Sequence, residues 1–87
     1  RPVLVEFGAP WCGPCKMLEP VLAEMAEAYA EQVDFYTVNV DENPQLVMEF
    51  GVMGVPTVIL FKNGEPVHRL TGYRPRQALE KALLADL

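Results

Sequence analysis

Runs of apolar residues and their spacing divide this chain into seven segments. Residues 2–7 (PVLVEF) are almost continuously apolar, which is typical of a strand buried on both faces. Beyond WCGPCK, apolar residues recur every three or four positions, and this period predicts a long amphipathic helix. Its apolar positions are Met17, Leu18, Val21, Leu22, Met25, Ala26 and Tyr29.

The rest of the chain predicts three more strands and two more helices. The segment from Val33 to Val40 alternates imperfectly and predicts a second strand, after which DENP suits a turn and a helix start. A short helix should end at Gly51. TVILF (57–61) is the strongest strand, and Asn63-Gly64 predicts a hairpin to residues 65–71. A last helix follows, with an apolar stripe formed by Leu79, Leu83, Leu84 and Leu87.

The order β-α-β-α-β-β-α predicts an α/β fold in one domain, residues 1–87. The first strand–helix–strand unit should be a right-handed crossover with parallel strands. The hairpin then adds an antiparallel pair. We therefore expect a mixed sheet of four strands with three helices distributed over both faces.

Charge and composition exclude several classes of function. The chain has 12 acidic and 7 basic residues and a net charge of −5, which argues against nucleic acid binding, since that requires clustered Lys and Arg. No apolar run approaches the ~20 residues of a membrane span, and the first ten residues lack the pattern of a signal peptide. We therefore expect a soluble, cytoplasmic protein.

Both cysteines lie within WCGPCK, as Cys12 and Cys15. A bridge between them closes so small a loop that it restricts the unfolded chain very little, which disfavours a purely structural disulfide. Structural zinc sites use four protein ligands as a rule, and the chain adds only the distant His68, which we expect on a strand surface. A zinc site would need a dimer, so redox chemistry is favoured and no metal is expected.

The start of a helix is a suitable place for a reactive cysteine. Unpaired backbone N–H groups and the positive end of the helix dipole would both favour a thiolate at Cys12. We expect Cys12 to be exposed and to attack substrate, and Cys15 to point inward and resolve the mixed disulfide.

Two other features leave alternatives open. Glu6, on a buried strand, is either a buried acid that takes the proton from Cys15 or a strand-end residue that reaches solvent. Pro56 either starts the following strand or forms a cis bond with Val55 that exposes backbone polar groups beside the cysteines.

These segments together resemble the thioredoxin family. The resemblance rests on VLVEF, WCGPCK, Pro20 in the long helix, NVDENP, GVMGVPT, LFKNG and Gly72, in order along nearly the whole chain. It implies the thioredoxin fold, and a reversible dithiol–disulfide pair, with no other cofactor, that reduces disulfides in other proteins. It also implies regeneration by thioredoxin reductase, a flavoprotein that uses NADPH.

The resemblance assigns roles to individual residues. Cys12 matches the nucleophile and Cys15 the resolving cysteine, and Glu6 falls where the family has a buried acid, usually Asp. Gly13 and Pro14 match the dipeptide that sets the redox potential toward reduction. The substrate groove would be lined by Trp11, Val55, Pro56 and Gly72, with Pro56 cis and Val55 pairing through its backbone with a substrate strand.

The sequence also departs from the family pattern. The family normally has another strand and helix before VLVEF, and without them the strand from Val33 to Val40 should lie at the sheet edge, where a second chain could pair with it. Gly8 replaces an aromatic residue, often Trp. Thr37 replaces a lysine that often accompanies the buried acid, so the pKa of Glu6 should lie higher still.

Other members of the same fold class provide the alternative functions. A specialised relative could be an oxidant, an isomerase or a donor to one partner, but oxidants and isomerases usually carry histidine between the cysteines, and glutaredoxins Pro-Tyr. A non-catalytic binding module often loses a cysteine or the proline, and this chain keeps Cys12, Cys15 and Pro56.

Overall fold

A computed structural model describes residues 1–87 and has the predicted order of strands and helices. The elements are β1 (Val3–Gly8), α1 (Gly13–Ala28), β2 (Asp34–Asn39), α2 (Pro44–Glu49), β3 (Thr57–Lys62), β4 (Glu65–Thr71) and α3 (Arg76–Leu83). The α/β class is confirmed. None of the three helices combines the length and the apolarity needed to cross a membrane.

The four strands form one mixed sheet in the order β2-β1-β3-β4. β1 is parallel to β2 and antiparallel to β3, and β4 returns antiparallel to β3. The parallel crossover and the hairpin are therefore confirmed, and β2 lies at the edge, as predicted. In this register Glu6 of β1 lies between Thr37 of β2 and Val58 of β3.

Alternate residues of the central strands form a core on each face of the sheet. One face carries α1 and α3, and its core includes Leu4, Leu18, Met25, Leu60 and Leu79. The other face carries α2, where Phe7, Val52 and Ile59 pack against partly buried residues such as Phe50. Glu6 and Gly8 share the face of Leu4, because side chains two apart on a strand point the same way. The strand alternation thus directs Glu6 toward α1.

Turn residues occupy the left-handed conformations that the sequence predicts. Gly51 follows α2 with φ +63°, and the hairpin residues Asn63 and Gly64 have φ +54° and +81°. Two consecutive positive φ values suit the right-handed twist of the flanking strands.

The last helix is shorter than predicted. α3 ends at Leu83, so Leu87 lies outside it and is 44% exposed, not part of the buried stripe. Asp86 explains the difference, because it contacts the sheet: its carbonyl accepts a hydrogen bond from Lys62 Nζ at 2.9 Å, and its carboxylate lies 3.1 Å from His68 Nε2. These contacts draw the segment after α3 toward β3 and β4.

Candidate active site

The two cysteines form a disulfide at the start of α1. Cys12 is the N-cap residue, with extended backbone angles, and its Sγ accepts a hydrogen bond from the backbone N–H of Cys15 at 3.1 Å. The two Cα atoms are 5.3 Å apart. Gly13 and Pro14 form the exposed first turn between them, where the missing N–H of proline costs no helical hydrogen bond. The helix start therefore presents a donor to the Cys12 sulfur.

The prediction that Cys12 is exposed is wrong. Cys12 is only 4% exposed, against 1% for Cys15. The backbone N–H of Cys12 donates to the carbonyl of Ala9 at 3.1 Å in a turn. Cys12 is thereby part of a buried cluster with Ala9 and Cys15, and Val40 and Val55 pack against this cluster. Cys12 is still the less buried of the pair.

Glu6 is buried, which excludes the alternative that it reaches solvent. Its side chain lies beside α1, the residue is 3% exposed, and Oε2 has no hydrogen-bond partner. Burial, together with the nearby carboxylate of Glu19, raises the pKa of Glu6 to about 7. A group with this pKa exchanges protons near neutral pH.

Glu6 and Cys15 meet at an empty position beside Gly8. A Cβ on Gly8 would lie 2.6 Å from Glu6 Oε2 and 3.2 Å from Cys15 Sγ. The carboxyl group and the buried sulfur therefore approach the same small volume, as the buried-acid interpretation requires.

An open cavity of about 830 Å³ lies between α1 and the edge strand β2, next to Glu6. Glu6 and Glu19 are the charged residues that line it, and Thr37 lies on its β2 wall. No cation compensates the buried acid from this side, which agrees with the raised pKa.

Val55 and Pro56 are joined by a cis peptide bond, as the family resemblance implies. Val55 packs against the buried cluster formed by Ala9, Cys12 and Cys15. The carbonyl of Pro56 accepts a hydrogen bond from the N–H of Gly72 at 2.7 Å, and Gly72 has φ +94°. Three of the predicted groove residues are therefore adjacent to one another.

Trp11, the fourth predicted groove residue, lies on the protein surface next to Cys12. It is 69% exposed, and its indole Nε1–H donates to Asp41 Oδ2 at 2.8 Å. From the sequence, Asp41 was assigned only to a turn, and its place at the site was missed. One signal could have found it: Asp41 follows β2, and the carboxyl ends of the parallel strands β1 and β2 meet at one edge of the sheet.

His68 does not belong to this site. Its ring contacts Asp86, as described above, and no three His, Cys, Asp or Glu side chains lie close enough together to bind a metal ion.

Comparisons with known proteins indicate the same family over nearly the whole chain. A family model described as Thioredoxin matches residues 1–85. A thioredoxin of Alicyclobacillus acidocaldarius is 56% identical over 87 residues, which is the whole of this chain and 82% of that protein. A thioredoxin of Staphylococcus haemolyticus is 49% identical over 92% of this chain and 77% of its own length. A chloroplastic thioredoxin M4 of Arabidopsis thaliana is 48% identical over 94% of this chain and 42% of its own length.

Proposed function

The chain belongs to the thioredoxin family and is a thiol–disulfide oxidoreductase, and from this premise we propose that it works as a protein disulfide reductase. The observation that carries the proposal is the Cys12–Cys15 disulfide at the N-terminus of α1, next to the buried carboxyl group of Glu6. Electrons are carried by the cysteine pair itself.

Cys12 is the nucleophile in this mechanism. In the reduced protein its sulfur is favoured as a thiolate by the Cys15 N–H and by the positive end of the α1 dipole. The thiolate attacks one sulfur of a substrate disulfide. The substrate S–S bond breaks, its other sulfur leaves as a thiolate that takes a proton from solvent, and Cys12 becomes joined to the substrate.

Cys15 completes the reaction. Ionised Glu6 accepts the proton of the Cys15 thiol, and the resulting thiolate attacks Cys12 Sγ. The Cys12–substrate bond breaks, the second substrate sulfur leaves, and the Cys12–Cys15 disulfide forms. Two electrons have then passed from the protein dithiol to the substrate, and both substrate sulfurs are reduced.

The surface around the disulfide supports binding of an extended protein segment. Trp11 precedes Cys12 and is exposed, Val55 packs against the cluster that contains both cysteines, and Pro56, bonded to Val55, accepts a hydrogen bond from Gly72. We infer that the backbone of Val55 pairs with the substrate chain and that the exposed indole of Trp11 covers its side chains. Gly13 and Pro14, in the first turn, are proposed to tune the pair toward reduction.

The proposal is tested by the rate of insulin disulfide reduction and by the redox potential. We expect Cys12→Ser to abolish the activity, and Cys15→Ser to accumulate a mixed disulfide with substrate, since it lacks the resolving thiol. The potential of the Cys12–Cys15 couple should be close to about −270 mV. A potential near about −120 mV would assign the protein to the oxidants, and an active Cys12→Ser variant would refute the mechanism.

Regeneration is proposed to come from an NADPH-dependent flavoprotein, thioredoxin reductase. With that enzyme, NADPH and insulin present, NADPH oxidation should depend on the concentration of this protein. A reductase of this kind works in a reducing compartment, so we propose a cytoplasmic location, which microscopy of a fluorescent fusion of the protein would test.

The outer edge of β2 supports one further proposal, a dimer formed by strand pairing between Val33 and Val40. β2 is the edge strand of the sheet, and Tyr36 at its centre is exposed. Unpaired backbone groups on an edge strand are suited to pairing with a second chain. Sedimentation at several protein concentrations should show association, and a monomer at every concentration would refute the dimer.

A further inference from the structure

Gly8 has no backbone reason to be a glycine. Its φ lies outside the left-handed region, unlike Gly51, Gly64 and Gly72. The residue is the last of β1 and lies opposite Asn39 of β2. The space is instead occupied by other side chains: a Cβ at this position would lie 2.6 Å from Glu6 Oε2 and 3.2 Å from Cys15 Sγ, so the end of the Glu6 side chain would have to shift.

The volume left free by Gly8 is the one that the Glu6 carboxyl group uses. Glu6 and Gly8 are two residues apart on β1 and therefore point to the same face. The Glu6 carbon Cδ is also close, 3.4 Å from the same position. The end of the glutamate chain thus extends along the strand over Gly8, toward the sulfur of Cys15.

We propose that Gly8 is a positioning residue that admits the carboxyl group of Glu6 against Cys15, so that the two residues form one functional pair. This inference rests on the proposed role of Glu6 as the proton acceptor for Cys15. A glutamate is one methylene longer than an aspartate, and the missing side chain at position 8 accommodates that extra length.

A methyl group at position 8 would displace the carboxyl group in preference to its other neighbours. Cys15 is held in α1 and, when oxidised, in the disulfide, whereas the end of the Glu6 side chain can rotate. The open side is the cavity between α1 and β2. The carboxyl group would therefore move away from Cys15 and toward water, and the pKa of Glu6 would fall toward its ordinary value.

Few other groups can titrate in this region. Facing Glu6 are Cys15 and Glu19 from α1, neutral Thr37 from β2 and Val58 from β3. A pH effect of the methyl group on the Cys15 step can therefore arise from Glu6, from Glu19 or from the Cys15 thiol itself. The Glu19→Gln variant identifies the part that comes from Glu19, and Glu6→Gln the part that comes from Glu6.

The test separates the two chemical steps with an aromatic disulfide, 5,5′-dithiobis(2-nitrobenzoate). Attack by Cys12 releases the first coloured thiolate. The Cys15 thiol then transfers its proton to Glu6, attacks Cys12 Sγ and releases the second. In stopped-flow traces the first phase thus reports Cys12 and the second reports Cys15, and both are recorded across a range of pH.

Four proteins form the cycle: the parent, Gly8→Ala, Glu6→Asp and the double variant. We expect Gly8→Ala to slow the second phase about tenfold, as befits a contact between coupled residues, with the first phase unchanged. Its pH profile should move to lower pH. In the Glu6→Asp background the same Gly8→Ala change should alter the second phase less than about twofold, because the shorter acid does not occupy the space at position 8.

The outcomes distinguish this inference from the proposed function. If Glu6→Gln leaves the second phase unchanged, Glu6 is not the proton acceptor and the proposed role fails. A second outcome is that Glu6→Gln slows the second phase, but Gly8→Ala slows it equally whether residue 6 is Glu or Asp. In that case the proposed role of Glu6 stands and only its pairing with Gly8 is refuted. A Gly8→Ala protein that folds with Asp at position 6 and fails to fold with Glu supports the pairing, since the conflict is then with the longer acid.

Discussion

The substitution Glu6→Gln should change how the stability of the oxidised protein depends on pH. Glu6 is buried with an unpartnered carboxyl oxygen, and its pKa is raised from 4.5 to about 7 in the folded protein. Glutamine has nearly the same shape and size but carries no titrating group. The difference between the two proteins therefore isolates the ionisation of this one carboxyl group.

The direction of this pH dependence follows from the protonation of Glu6 in the folded and the unfolded state. Between about pH 4.5 and pH 7 the folded protein holds a proton on Glu6 that the unfolded chain has lost. Raising the pH through this window therefore lowers the free energy of unfolding, and the loss is complete above the folded pKa. A shift of about 2.5 pKa units corresponds to roughly 3 kcal/mol, of which about 2.5 kcal/mol should appear between about pH 5 and about pH 8.5.

Urea unfolding of both oxidised proteins across this range measures the effect. We expect the stability of the parent, relative to Glu6→Gln, to fall by about 2.5 kcal/mol from the acidic to the alkaline end. The Glu19→Gln variant is the matched control: it removes the neighbouring carboxylate that contributes to the shift, so the fall should be smaller but present. Parallel curves for the parent and Glu6→Gln would show that Glu6 titrates normally, and would refute the reasoning from burial.

Three further substitutions test the packing and the turns. Leu60→Ala removes a fully buried core side chain and should lower the free energy of unfolding in urea by about 2–5 kcal/mol; a cost below about 1 kcal/mol would contradict the assigned core. Gly64→Ala places a side chain at φ +81° and should cost about 1 kcal/mol in the same assay, whereas no loss would exclude the positive φ. Trp11→Phe removes the hydrogen bond to Asp41 and should cost about 1 kcal/mol or less, and in the Asp41→Ala background it should cost nothing more, as a double-mutant cycle would show.

Much of the fold was predictable because its signals are local. The period of three to four residues in α1, the apolar run of β3 and the Asn63-Gly64 turn each depend on residues that are neighbours along the chain. The cysteine pair was predictable for the same reason: a cap residue and the helix that follows it are adjacent in sequence. The resemblance to a family then supplied Pro56 and Glu6, which local patterns had left open between two interpretations.

The tertiary structure decided what depends on contacts between distant segments. Cys12 is buried in a cluster with Ala9 and Cys15 against which Val40 and Val55, from two other parts of the chain, pack, and a helix-start rule contains no information about them. Leu87 leaves the apolar stripe because Asp86 contacts Lys62 and His68 across the sheet. Asp41 reaches Trp11 only because two parallel strands end at the same edge.

The same distinction applies to the centre of the site. The sequence by itself determined that Glu6 lies on a buried strand and that Cys15 lies in the first turn of a helix, but not that this strand continues to Gly8 on the same face. It did not determine the distances among them, because these depend on how α1 packs over β1. That packing places a carboxyl oxygen of Glu6 and the sulfur of Cys15 next to the position where Gly8 has no side chain. The three residues therefore form one site only in the folded protein.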